Sequence, residues 1–103
     1  MSVLHLNSDN FTKEVLEAEQ TVLVDFYADW CGPCKMMTPV VEKIEQDLAG
    51  QVKVCKINID QASDIAAKYG VMSIPTFIVF KQGQPIKTTV GVQAEAELKR
   101  ILE

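Results

Sequence analysis

The sequence predicts an α/β domain in which a mixed β-sheet is flanked by helices on both faces. Two observations lead to this prediction. Strand-like and helix-like segments alternate through the first two-thirds of the chain, and helices that cross between strands imply parallel pairing. The last third contains two strand-like runs joined by a tight turn, which add an antiparallel pair before a closing helix.

The first helix is predicted after residues 7–9, where Asn, Ser and Asp supply capping oxygens ahead of apolar residues at Phe11, Val15 and Leu16. The segment Thr21–Tyr27 follows, a β-branched and aromatic run typical of a central strand that is covered on both faces. Its one charged residue, Asp25, is therefore unusual.

A second helix is predicted from Pro33 to Gly50, because apolar residues recur there at helical spacing. Pro39 lies inside this segment and lacks the N–H that would bond to the carbonyl of Lys35, so we expect the helix to bend there. The alternative is a helix that begins only at Pro39.

The remaining elements are shorter, and each is bounded by turn-forming residues. A short N-terminal strand contains His5. The others are, in order, a strand at 52–58, a helix at 63–69, a strand at 76–80, a turn at 81–84, a strand at 85–90 and a helix whose apolar stripe is Leu98, Ile101 and Leu102. Neither a linker nor a repeat interrupts them, so residues 1–103 are interpreted as a single domain.

Composition and charge narrow the possible functions. The chain has 103 residues, of which 48% are hydrophobic and 23% charged, as is typical of globular proteins. Its formal charge of -4 weighs against nucleic acid as a partner. The N-terminus lacks the pattern of a secretory signal and no stretch could span a bilayer, so we expect a cytoplasmic protein without a membrane partner.

The candidate reactive residues are two cysteines in the segment Trp30-Cys31-Gly32-Pro33-Cys34. It follows the carboxyl end of a predicted central strand and opens a helix, which is where open α/β sheets place reactive groups. With Pro33 near the first helical position, two cysteines three residues apart share one face, and their sulfurs can reach bonding distance. A close pair of this kind in a reducing compartment is usually catalytic or metal-binding.

For a catalytic pair, Cys31 is the expected outer, attacking thiol, because free N–H groups and the helix dipole stabilise its thiolate. Cys34 is expected to lie deeper and to resolve the mixed disulfide. This cycle needs no metal or organic cofactor. Two alternatives remain: half of a zinc site, whose other soft ligands would have to be Cys55 and His5, and a purely structural disulfide closing a very small loop.

The chain resembles the thioredoxin family over essentially its whole length. The resemblance rests on residues 24–26 (Val-Asp-Phe), residues 30–35 (Trp-Cys-Gly-Pro-Cys-Lys), Pro39, Asp60, residues 74–76 (Ile-Pro-Thr), Gly83 and Gly91. It implies the thioredoxin fold, an α/β fold with a central mixed five-stranded β-sheet flanked by about four α-helices. It also implies a monomeric, general protein-disulfide reductase that acts on disulfide-containing protein substrates and is regenerated by thioredoxin reductase, an NADPH-dependent flavoprotein.

The resemblance also implies roles for individual residues. Asp25, in a mostly apolar strand beneath the dithiol, would have its pKa raised by desolvation and accept the proton of Cys34. Lys56 resembles the family lysine that modulates that carboxylate. The alternatives are a solvated aspartate at a strand edge and a solvated strand lysine.

Further residues match the family's substrate-binding surface. Pro75 resembles the cis-proline that faces the dithiol, and Gly32 and Pro33 occupy the positions that tune the redox potential. Together with Gly32 and Pro33, the apolar surface around Cys31 would be lined by Trp30, Ile74 and Gly91. For Trp30, the alternative is simple core packing.

The chain departs from the family pattern at two positions. Tyr27 stands where a second tryptophan is usual, and Met72 stands just before the 74–76 motif, where charged residues are common, so it is either an ordinary exposed loop residue or an influence on partner choice. Cys55 is expected to be a small buried hydrophobe, and His5 a structural residue.

Two other functions compete with a disulfide reductase. The same fold could serve an oxidase or isomerase of the secretory pathway, but the Gly32-Pro33 dipeptide differs from the histidine-containing pair usual in that class. A binding module that acts whatever its redox state is the other possibility, and the complete dithiol with Asp25 and Lys56 argues against it as the sole function.

Overall fold

The computed structural model describes residues 2–103, whose strands form one five-stranded sheet. Its strands are β1 (Leu4–Leu6), β2 (Thr21–Tyr27), β3 (Val52–Asn58), β4 (Thr76–Lys81) and β5 (Gln84–Val90). They lie in the order β1-β3-β2-β4-β5. The first three strands are mutually parallel, whereas β4 runs antiparallel to both β2 and β5. The predicted mixed sheet is therefore confirmed.

Helices cover both faces of this sheet. They are α1 (Gly32–Leu48), α2 (Ser63–Lys68), α3 (Glu95–Ile101) and a short π-helical segment (Thr12–Leu16). One apolar cluster joins α1 and α3 to the sheet through residues such as Ile44, Phe77 and Leu98. On the opposite face, Phe11, Phe26 and further buried residues join the π-helical segment and α2. Burial of these two clusters is the main stabilising contribution to the fold.

The first helical segment forms where the sequence predicts it, after residues 7–9. The predicted capping is wrong, because the N-cap residue is Phe11 without a side-chain cap bond, and Asn7 Oδ1 instead accepts the backbone N–H groups of Asp9 and Asn10 at 2.8 Å each. Those bonds close a turn, and the helical segment that follows has π rather than α geometry. By contrast, α1 continues through Pro39, so the alternative of a helix starting there is wrong.

The hairpin between β4 and β5 has a turn at Gln82 and Gly83. Both residues have positive φ, at 50° and 78°. This is the backbone of a two-residue turn whose twist matches that of the flanking strands.

None of the helices in residues 2–103 combines the length and apolar character needed to cross a bilayer.

Candidate active site

The two cysteines lie where the carboxyl end of β2 gives way to α1. Four residues separate Tyr27 from the helix, and Cys31 is its N-cap residue. Gly32 and Pro33 form the exposed first turn, where a proline costs little because its missing N–H has no helical partner. The predicted position of the pair, at a strand end and a helix start, is confirmed.

Cys31 and Cys34 are joined by a disulfide, with their Cα atoms 5.3 Å apart. The backbone N–H of Cys34 points at Cys31 Sγ, at 3.2 Å. Each cysteine is only 4% exposed, so exposure does not separate an outer from a deeper residue as the sequence suggested. The surroundings of the two sulfurs do differ. Cys31 Sγ lies 3.9 Å from the carbonyl oxygen of Ile74, whereas Cys34 lines a cavity that Cys31 does not line.

That cavity, of about 160 Å³, connects Cys34 with Asp25 and Lys56. Asp25 is 3% exposed, so the alternative of a solvated strand-edge carboxylate is wrong. Within residues 2–103 its Oδ1 has no hydrogen-bond partner. Burial raises the pKa of Asp25 from 3.8 to about 7, and the positive charge of Lys56 offsets part of that rise.

Lys56 stands directly beside Asp25 in the parallel register of β2 and β3. Its ammonium nevertheless lies over the ring of Tyr27, 4.3 Å from the centroid, which is a cation–π contact. Lys56 is half-buried, and the alternative of a freely solvated lysine does not describe it. From the sequence, Tyr27 stands out only as a departure from the family pattern. Its position two residues after Asp25, on the same face of β2, was the signal that places it beside Lys56.

Trp30 is 69% exposed, so the alternative of core packing is wrong. Its indole N–H donates to Asp60 Oδ2 at 2.8 Å. From the sequence, Asp60 is only a part of the family resemblance, and this contact was not predicted. The available signal was its position just beyond the end of β3, because parallel neighbours bring their carboxyl ends to the same edge of the sheet.

A second wall of the site comes from the segment before β4. The Ile74–Pro75 peptide bond is cis, as the resemblance implies. The backbone N–H of Gly91 donates to the carbonyl of Pro75 at 2.8 Å, and Gly91 has a positive φ of 94°. This bond joins the segment before β4 to the one after β5, so Gly91 lies next to Pro75, which follows the residue that contacts Cys31, Ile74.

The third cysteine lies apart from this site. Cys55 is fully buried in the cluster on the opposite face of the sheet, as expected of a small hydrophobe. Burial raises the pKa of its thiol to about 12, so it is protonated at neutral pH.

His5 is exposed on β1, in register with Lys56. In residues 2–103 no three His, Cys, Asp or Glu side chains cluster as metal ligands would.

A redox-active pair at a helix start, above a buried carboxyl, is thus flanked by a cis-proline segment. Comparison with known proteins agrees with this arrangement, since the thioredoxin family model matches residues 2–103. The chain belongs to the thioredoxin family.

Its thioredoxin relatives are similar over nearly their whole length. A thioredoxin of Rickettsia felis is 48% identical over 94 residues, which is 91% of this chain and 90% of the relative. A thioredoxin of Pseudomonas aeruginosa is 43% identical over 98% of this chain and 94% of its own. Thioredoxin 1 of Synechococcus elongatus is 47% identical over 100% and 97%, respectively.

Membership of the thioredoxin family and the bonded cysteine pair together define the activity. The protein is a thiol–disulfide oxidoreductase, and it reduces protein disulfides by dithiol–disulfide exchange. This family assignment also accounts for the sheet order and for the helices on both of its faces.

Proposed function

We propose that this protein is a general protein-disulfide reductase in which Cys31 is the nucleophile and Cys34 the resolving thiol. The observation that carries the proposal is the bond from the Cys34 N–H to Cys31 Sγ at the N-terminus of α1. The same N–H would stabilise a thiolate on Cys31 in the reduced protein, helped by the positive end of the helix dipole. Among residues 2–103, no equivalent hydrogen bond reaches Cys34 Sγ.

The reaction is a pair of exchanges. The Cys31 thiolate attacks one sulfur of the substrate disulfide, the S–S bond breaks, and the other substrate sulfur leaves as a thiolate. Cys34 then loses its proton and attacks Cys31 Sγ, which releases the second substrate thiolate. Two electrons have passed from the cysteine pair to the substrate, whose sulfurs take up two protons, and the Cys31–Cys34 disulfide remains.

Asp25 is the proposed acceptor of the Cys34 proton. Both side chains line the same cavity, and a carboxyl whose pKa is about 7 can both accept and release a proton near neutral pH. Lys56 modulates that carboxyl, because its positive charge favours the ionised form. Gly32 and Pro33 contribute by shaping the first helical turn, which fixes the geometry of the two sulfurs and hence the redox potential.

The surface beside Cys31 is proposed to bind substrate through Trp30, Ile74, Pro75 and Gly91. Its open shape suits varied disulfide-containing proteins rather than one small molecule. A thioredoxin reductase that draws electrons from NADPH through a flavin would regenerate the dithiol. We further propose a single domain over residues 1–103 that acts as a monomer in the cytoplasm.

A pair of variants tests the assignment of the two thiols. Cys34→Ser should trap a covalent complex with a disulfide-containing protein substrate, because nothing resolves the mixed disulfide, and the trapped mass should be linked through Cys31. Cys31→Ser should trap nothing. Trapping by Cys31→Ser but not by Cys34→Ser would reverse the assignment.

The direction of the reaction is tested by equilibrating the wild type in graded dithiol redox buffers and alkylating its thiols. A two-electron transition at a strongly reducing potential supports a reductase. A strongly oxidising midpoint would favour a disulfide donor, and the absence of a transition would favour a redox-independent binding module.

A further inference from the structure

Met72 is the most exposed large apolar side chain among residues 2–103, at 96%. It lies two residues before Ile74, whose carbonyl oxygen is 3.9 Å from Cys31 Sγ. Two residues of chain separate their Cα atoms by about 7 Å at most. A side chain as long as methionine, placed there, lies within reach of whatever docks on Cys31.

Two polar side chains on this side of the dithiol, Trp30 and Gln93, are already bonded within the protein. The Trp30 indole donates to Asp60. The Gln93 amide donates to the carbonyls of Val90 and Gly91, at 3.2 and 3.3 Å. Apart from the exposed Ser73 hydroxyl, an incoming chain therefore meets mainly the apolar surfaces of Trp30 and Val92, the latter 50% exposed.

Charge is distributed unevenly around the cysteine pair. Asp29, Lys35 and Lys56 line the cavity on the Cys34 side. The segments 71–76 and 90–93, which border Cys31, contain no charged residue. The surface next to Cys31 on the Ile74 side is thus uncharged, whereas the Asp60 carboxylate lies on the Trp30 side. Met72 extends the uncharged part away from the dithiol.

Access to Cys31 makes this surface relevant to the choice of substrate. Because Cys31 is only 4% exposed, a substrate sulfur reaches it only when the flanking residues of the substrate come down onto the protein surface. We propose that Met72 is a specificity-determining residue, which binds an apolar side chain next to the substrate's reacting cysteine and so favours disulfides with apolar neighbours. This inference rests on the proposed function and adds a substrate class to it.

Two cyclic peptides test the inference. They share one intramolecular disulfide and differ only in the residues that flank each cysteine, leucine in one and serine in the other. The prereduced protein is mixed with each peptide, the reaction is quenched with acid and alkylated, and second-order rate constants are measured. The wild type should reduce the leucine peptide faster, and Met72→Gln should lower that rate about tenfold through lost apolar contact. The serine peptide should change less than twofold.

Two further variants and one small substrate serve as controls. Met72→Leu should retain the preference, since it keeps an apolar side chain at the same place. Ile86→Gln should leave both rates within twofold, because Ile86 is an exposed apolar residue of β5 (43%) about four residues from the Val90 end of that strand. Met72→Gln should keep the wild-type midpoint in graded dithiol redox buffers, which reports an intact dithiol, and Ile86→Gln should reduce 5,5′-dithiobis(2-nitrobenzoic acid) at the wild-type rate.

The outcomes separate this inference from the function beneath it. Equal rates for the two peptides in the wild type, or an equal loss for both in Met72→Gln, would overturn the role of Met72 and leave the reductase intact. A wild type that reduces neither the peptides nor the aromatic disulfide would overturn both.

Discussion

Asp25 and Lys56 are direct neighbours across the parallel strands β2 and β3, yet the Lys56 ammonium lies over the Tyr27 ring. The carboxyl thus has a cation nearby but no hydrogen-bond partner on Oδ1 within residues 2–103. Burial consequently outweighs the attraction of Lys56, and the pKa of Asp25 rises. An ionised Asp25 is held in the folded protein at the expense of stability.

The stability of the disulfide form should therefore fall as pH rises. The pKa of Asp25 is 3.8 when it is unperturbed and about 7 in the fold, so between these values the folded state binds more protons than the unfolded state. The stability present below pH 3.8 is lost as pH rises through 7, by up to about 4 kcal/mol. Asp25→Asn cannot ionise and should not show this loss.

Guanidinium unfolding at pH 4.5 and pH 8 measures the difference. The variant should become more stable than the wild type at pH 8, and its advantage should shrink towards pH 4.5. An identical pH dependence in the two proteins would mean that Asp25 titrates at an ordinary pKa. The same variant should also slow release of substrate from the mixed disulfide, because Cys34 loses its proposed proton acceptor.

Removing the charge of Lys56 should raise the pKa of Asp25 further, because Lys56 is the group that lowers it. Titration of the Asp25 side-chain carbon by NMR in Lys56→Met would show the midpoint moving to higher pH. Lys53→Met is the matched control: Lys53 lies on the same strand but pairs with Glu14 at 3.0 Å. Equal shifts in both variants would point to overall charge rather than to the neighbour of Asp25.

Asp60→Ala should loosen the indole ring of Trp30, which is held at the surface by their 2.8 Å hydrogen bond. Since the bond is exposed, we expect a stability change below about 1 kcal/mol. The fluorescence of Trp30, the only tryptophan in the chain, should change, and reduction of protein disulfides should slow a few-fold.

Asp64→Ala provides the comparison for Asp60. It also removes an exposed aspartate with one side-chain bond, here from the Ser8 hydroxyl at 2.6 Å. It should leave both the fluorescence and the rate unchanged. If Asp60→Ala does the same, the Trp30 contact has no part in docking.

Two glycine substitutions separate backbone strain from steric contact. Gly70 and Gly83 have positive φ, 68° and 78°, but a Cβ on Gly83 would lie 2.8 Å from the carbonyl oxygen of Leu16, whereas one on Gly70 would meet nothing within 4 Å. Gly70→Ala should cost about 1 kcal/mol and Gly83→Ala about 3 kcal/mol or more in the free energy of unfolding. Denaturant unfolding of both proteins measures this, and equal losses would show that the hairpin moves aside.

The central strands were predictable to the residue. Thr21–Tyr27 and Val52–Asn58 are long runs of β-branched and apolar residues, and burial on both faces leaves such runs few alternatives. The first helix was less predictable, since the side chain of Asn7 closes a turn before the helix rather than capping it, and it does not indicate whether α or π geometry follows. That choice depends on how Phe11 and Val15 pack against the sheet.

The site shows a similar division. Cys31, Cys34 and Asp25 stand out because a reactive pair and a charge interrupt apolar segments. The contacts of Tyr27 with Lys56 and of Trp30 with Asp60 join different strands and loops, and they depend on side-chain directions that a pattern of residue types does not encode.

Because Cys55 is buried, its alkylation can be used to measure how readily the sheet opens. The reactive pair is only 4% exposed but lies next to the exposed residues Gly32 and Pro33, whereas the third thiol is buried beneath the opposite face of the sheet. Labelling of that thiol requires part of the sheet to open, so its rate reports the free energy of opening in the same sample. A time course of thiol labelling thus yields both the oxidation state of the cysteine pair and the free energy of opening of the core.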